Sequence, residues 1–260
     1  MGMLAELFNR AAANPLAFVL IGGSTLIALG VGGFFLFGKV LPKETILPIL
    51  VTVFLHCATY FFVRLLPLVG TYHNLSNPLD DRIPFWPPMI VIYILAFVQW
   101  AANWILLSRQ PQALRTKVLS AETIAKLICM LVFIFFPTTL TRPSVSADGN
   151  GFERIVCWIY GLDAPTNLLP SVHCLESWVC IRVALKAEWL PKWYLPFTIV
   201  FSTLVVASTL LVKQHVLIDI PTAILAAEAG FLLSRLVHAD RPIKRYEDWV
   251  KHRANAKVVS

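Results

Sequence analysis

His215 and Asp219 lie four residues apart, so in a helix they share one face, and Thr222 continues the same stripe. Ser208 precedes His215 by seven residues, with Lys213 between them. Further upstream, Pro170-Ser171-Val172-His173 opens an apolar run, Ser177 falls one turn beyond His173, and Arg142-Pro143 closes another run. A histidine can attack phosphorus and form a covalent phosphohistidine. A carboxylate one turn away can hold the ring in the useful tautomer and stabilise the imidazolium that develops. A second histidine can protonate a leaving oxygen and then activate water or an alcohol. Arginine, lysine and hydroxyl groups can clamp phosphoryl oxygens. Two other outcomes stay open at this point. His173, His215 and Asp219 would also make a three-ligand zinc site, and the same polar set could merely bind a lipid. A His-x-x-x-Asp pair alone is common by chance; the ordered set on one membrane face is not.

These residues are embedded in apolar sequence. Of 260 residues, 57% are hydrophobic and 14% charged, and a globule of this size could not hide so much apolar surface. Seven runs approach or exceed the length needed to cross a bilayer, near 16–38, 46–69, 88–107, 124–140, 168–185, 194–212 and 216–237. The expected fold is all-α: a polytopic membrane helical bundle in one domain, with a basic tail over 238–260. Arg109, Arg115 and Lys117 follow the third run, and Arg182, Lys186 and Lys192 follow the fifth. By the positive-inside rule these segments and the tail face the cytoplasm. Segments 70–87 and 141–167 then face outward, which gathers Asp80, Asp81, Arg142, Ser171, His173, Lys213, His215 and Asp219 on one side. The formal charge of +7 lies largely in the tail, where it marks the cytoplasmic face and can touch anionic lipid; no nucleic-acid partner is expected. The five cysteines sit mostly in or beside apolar runs and read as small buried hydrophobes rather than a disulfide framework. The proline-rich stretch 83–88 cannot be continuous helix, and Trp86 within it suits headgroup depth.

Arg142-Pro143, then Pro170-Ser171-Val172-His173, then Ser208 with His215 and Asp219, resemble the three signature motifs of the type 2 phosphatidic acid phosphatase superfamily. That superfamily includes lipid phosphate phosphatases and lipid phosphotransferases. The resemblance implies a six-helix core, about 46–237, with the run at 16–38 as an extra N-terminal span. It implies His215 as nucleophile, Asp219 as its orienting carboxylate and His173 as general acid. Arg142 and Ser171 would hold phosphate, and Ser208 occupies the third motif's serine position. The chain departs from the pattern twice. Phe135 stands where the phosphatases carry a lysine, and Thr209 where they carry an arginine; Lys213 is close enough to replace one charge.

The expected activity is therefore hydrolysis of a lipid phosphate or pyrophosphate monoester through phosphohistidine, with no metal or other cofactor. The alternative is transfer of a phospho-headgroup to an alcohol, as in sphingomyelin or inositol-phosphorylceramide synthases. Glu176, one turn past His173, and Asp81 in the outer segment are candidates for contacting a headgroup, with Asp80 beside them. Expected partners are a lipid phosphate and the bilayer, and the sequence sets no oligomeric state. The expected location is a bacterial plasma membrane, with the site outward and the C-terminus cytoplasmic.

Overall fold

The structure is a computed structural model, and it describes residues 40–61, 63 and 71–259. The run at 16–38, and Arg64 and the other residues ending the second run, lie outside the described residues. Nine α-helices occur among the described residues: α1 (Lys43–Phe61), α2 (Pro78–Arg82), α3 (Ile90–Ser108), α4 (Gln112–Phe135), α5 (Gly151–Leu162), α6 (Val172–Ala184), α7 (Tyr194–Leu211), α8 (Asp219–Leu236) and α9 (Asp240–Val259). A 3-10 turn, Pro87–Met89, leads into α3. Two-residue strands β1 (His73–Asn74) and β2 (Thr138–Thr139) pair in parallel, with His73 opposite Thr138.

Among the described residues three helices are long and apolar enough to cross a membrane: Pro87–Ser108, Gln112–Phe135 and Tyr194–Leu211. A fourth qualifies if α8 and α9, bent by 69° at their junction, are counted together. α4 starts far earlier than the apolar run at 124–140 suggests, because Arg115, Glu122 and Lys126 interrupt the hydropathy yet all lie buried in the helix. Their charges are matched: Arg115 forks onto Glu247 of α9 at 2.8 and 2.6 Å, and Lys126 meets Glu122 at 2.6 Å and Glu176 at 2.9 Å. The tail is likewise more ordered than a basic extension need be. It is helix, and Glu247 anchors it to the bundle.

The core is built on α4. α8 packs along it through Ala223, Ala226, Ala227 and Gly230, facing Ala121 and Ala125. Small residues let two backbones approach closely. A Cβ on Gly230 would stand 2.4 Å from the Ala121 carbonyl oxygen and 2.9 Å from the Ala125 Cβ. One turn on, the Ser120 and Ser234 hydroxyls bond at 2.6 Å. Gly230→Ala is therefore expected to wedge the pair apart and destabilise the fold by about 1–3 kcal/mol. Thermal unfolding in detergent checks this, and an unchanged midpoint would refute so close a contact. α1 and α9 pack on the other side of α4, while α6 bridges α8, α7 and α3.

Segment 141–167 contains a helix, α5, which hydropathy does not reveal. Asn150 caps it, accepting from Phe152 N and Glu153 N, while Glu153 answers the Asn150 N–H. The segment is tied down by Thr138, whose Oγ accepts from Leu168 N at 2.9 Å and Leu169 N at 3.1 Å. The start of α6 is thereby fixed against the end of α4. Residues 83–86 are non-helical, as the prolines require, and the exposed Trp86 donates its backbone N–H to Leu211 O at 2.8 Å.

Candidate active site

The turn between α7 and α8 carries His215. Lys213 adopts left-handed backbone (φ 52°), which folds the chain back so that Gln214 N and His215 N both donate to Thr209 O, at 2.8 and 3.1 Å. Asp219 then opens α8. Its Oδ2 accepts from Val216 N at 3.1 Å and pairs with His215 Nδ1 at 2.9 Å. A carboxylate oxygen can only accept, so the pair is complete when Nδ1 carries the proton and Nε2 keeps its lone pair. The side chain of Asp219 is fully buried and that of His215 is 10% exposed.

His173 is the second residue of α6, just after Ser171, whose Oγ caps the helix by accepting from Cys174 N at 3.3 Å. The Ser171 N–H reaches Asp219 O at 3.4 Å, which ties the two helix starts together. The His173 ring stacks on Tyr93 at 4.3 Å and meets Trp100 edge-on at 5.0 Å, both from α3. Its centroid is 6.1 Å from that of His215. The starts of α6 and α8 thus bring two histidines together where helix dipoles favour an anion.

Arg142 enters from segment 141–167. Its guanidinium lies 4.5 Å over the Tyr160 ring and donates to Asp163 O and to Gln214 Oε1. Tyr160, in α5, donates its hydroxyl to Val212 O at 2.8 Å. Burial pushes that phenol up to about 12, against the lowering pull of Arg142. The guanidinium is therefore seated by α5 and by Gln214, next to His215. Four buried polar atoms around the two histidines have no hydrogen-bond partner: His173 Nε2, Asp219 Oδ1, Arg142 Nε and Gln214 Nε2. Buried polar groups are rarely left so, and a cluster of them marks a place built for a ligand.

Beside His215 opens a cavity of about 380 Å³, lined among others by Asp81, Phe85, Thr141, Pro143, Lys213 and His215. Asp81 is exposed there, as a headgroup contact would need. Asp80 lines the same cavity. It is buried, and its carboxylate accepts from Asn77 N at 2.9 Å and from Leu217 N at 2.7 Å. Lys213 Nζ completes this latch by donating to Asp80 O at 2.9 Å and Ile83 O at 2.6 Å. α2 is thus buckled to the turn that carries His215. If His215 is the nucleophile, Asp80→Ala is expected to lower kcat about tenfold, with a smaller change in KM, by loosening that turn. Equal kinetics in the variant would show that the latch does not position His215.

The remaining candidates lie off the cavity. Ser208 is fully buried and donates to Val205 O at 2.6 Å within its own helix. Glu176 is buried below His173, held by Lys126 at 2.9 Å and His56 Nδ1 at 3.2 Å, so it serves the bundle interior rather than the cavity. Phe135, at the first departure from the phosphatase pattern, is exposed. Among the described residues no group of three or more His, Cys, Asp or Glu is placed to hold a metal ion. Sequence reasoning missed Gln214, the aromatic walls Tyr93 and Trp100, and the seat at Tyr160. Only Gln214, between Lys213 and His215, offered a signal. In comparisons with protein-family models, curated proteins and solved structures the chain finds no match, so its site is interpreted from its own residues.

Proposed function

We propose that the chain is an integral membrane phosphatase of the type 2 phosphatidic acid phosphatase kind, hydrolysing a lipid phosphate monoester or pyrophosphate through phosphohistidine. The observation that carries this is the His215–Asp219 pair facing His173, ringed by buried polar atoms without partners. The His215 Nε2 lone pair attacks phosphorus as the bond from phosphorus to the lipid oxygen breaks, and the imidazolium of His173 protonates the departing oxygen. Asp219 stabilises the charge that develops on His215. Water then attacks the phosphohistidine and loses its proton to His173, which releases phosphate and restores both rings. Arg142, with Nε unengaged, and the two helix starts stabilise the transferring group.

The bundle, with a six-helix core and a further N-terminal span, would hold the lipid tails in the bilayer while the headgroup enters the cavity sideways. On the charge rule, that cavity faces outward from a plasma membrane. Transfer to an alcohol is the second reading, supported by a thin clamp: Lys213 is engaged with Asp80 and Ile83, and Phe135 and Thr209 bring no charge.

The test is phosphate release by purified protein in excess chelator, from phosphatidic acid, phosphatidylglycerophosphate and a polyprenyl pyrophosphate. Release with an acid-labile phosphoprotein trapped during turnover is expected. Release abolished by the chelator would instead indicate a metal-dependent site. No release from any lipid, but headgroup transfer when an alcohol acceptor is added, would establish the transferase.

A further inference from the structure

A second cavity, of about 350 Å³, lies at the other end of the bundle. It sits at the corner between α8 and α9, against the start of α4, and Lys117, Arg235, His238 and Lys244 line it with Asp240 as the single carboxylate. The distance from the candidate active site follows from α8, which begins at Asp219 and ends beside this corner. Its 18 residues span about 27 Å, close to the thickness of a bilayer's hydrocarbon core. The two cavities therefore lie at opposite ends of α8.

The corner is fixed. Val237 N donates to Leu233 O and Ala239 N to Ser234 O, while His238 takes left-handed backbone (φ 54°), a helix ending that turns the chain sharply. α9 is then pinned through Glu247 to the buried Arg115. Neighbouring cations are engaged: Arg115 by Glu247, and Arg182 by Glu228 at 2.5 Å. The cationic groups of Lys117, Arg235 and Lys244 by contrast make no ion pair or hydrogen bond among the described residues, and Asp240 neutralises none of them by contact. Three cations from three helices are thus held around one concavity on a rigid corner. Such like charges repel unless an anion joins them.

We propose that this cavity binds the phosphate of an anionic ligand at the membrane face opposite the candidate active site, with Lys117, Arg235 and Lys244 as its contacts. The two sources of such a phosphate are a lipid headgroup and free phosphate. The site does not depend on the phosphatase reading.

The experiment uses the full-length protein in detergent, titrated with short-chain phosphatidylglycerol, phosphatidylcholine or inorganic phosphate, with thermal stabilisation as readout. Phosphatidylglycerol is expected to raise Tm saturably and phosphatidylcholine to leave it unchanged. The triple variant Lys117→Gln, Arg235→Gln, Lys244→Gln is expected to bind phosphatidylglycerol about tenfold or more weakly. Arg241→Gln with Arg245→Gln removes equally exposed tail charges outside the cavity and is expected to change affinity less than about twofold. Stabilisation by inorganic phosphate alone, lost in the triple variant, would identify the source as soluble; a response to phosphatidylglycerol only would identify it as lipid. The proposal is overturned if the triple variant binds like the parent, or if the Arg241 and Arg245 variant loses as much.

Discussion

His215→Ala is expected to remove essentially all turnover, a fall of at least about 10⁴-fold in kcat with lipid binding retained. Alanine leaves no atom to accept phosphorus, and Asp219 is left with only the Val216 N–H on Oδ2. His173→Ala should behave differently in an informative way. Its loss, about 10²- to 10⁴-fold for an alkyl phosphate, should shrink for an aryl phosphate whose leaving group needs no proton. Asp219→Asn keeps the shape but not the charge, and is expected to leave a small residual rate. Stopped or quenched-flow phosphate assays on the three variants, with both ester types, separate these roles. Full activity in His215→Ala would end the phosphohistidine mechanism.

The second large effect lies in the bundle interior. Lys126 is about as buried as any side chain in the fold, and it holds two carboxylates, Glu122 at 2.6 Å and Glu176 at 2.9 Å, with the Thr52 carbonyl at 3.2 Å. Trp104 Nε1 donates to Glu122 at 3.1 Å, and His56 closes on Glu176. Lys126→Met would leave two neighbouring carboxylates without their shared cation. A loss of about 3–5 kcal/mol is expected, enough to lower yield and the unfolding midpoint sharply. Adding Glu122→Gln and Glu176→Gln to that variant removes the unpaired charges and should recover most of the loss. If Lys126→Met alone unfolds like the parent, the triad does not hold the bundle together.

This triad also shows why some of the fold was legible in the sequence and some was not. Runs that are apolar throughout, such as 88–107 and 194–212, lie within a residue or two of Pro87–Ser108 and Tyr194–Leu211. Hydropathy alone starts α4 a dozen residues late, since it counts Arg115, Lys117 and Glu122 as water-seeking. Glu122 finds its cation one turn on, in Lys126, but the other partners, Glu176 of α6 and Glu247 of α9, are distant in sequence. The His215–Asp219 pair was readable because its spacing is local, and His173 because its motif is. The seating of Arg142 on Tyr160 and Gln214, and the conversion of Asp80 from headgroup candidate to latch, depend on α5 and α2 folding over the site. No local spacing encodes that.

The shortness of α6 has its own consequence. Its 13 residues reach about 20 Å, whereas the 24 of α4 reach about 36 Å. A bilayer matched to α4 is too thick for α6 to cross, and with the end of α6 at the far surface His173 at its start would sit beneath the near one. A lipid whose phosphate can sink, or a membrane that thins locally around the protein, would meet the histidines; a dissolved phosphate ester would have to leave water to do so. Immersion would then sort substrates before any side chain touches them, and turnover should fall as acyl chains of the host bilayer lengthen.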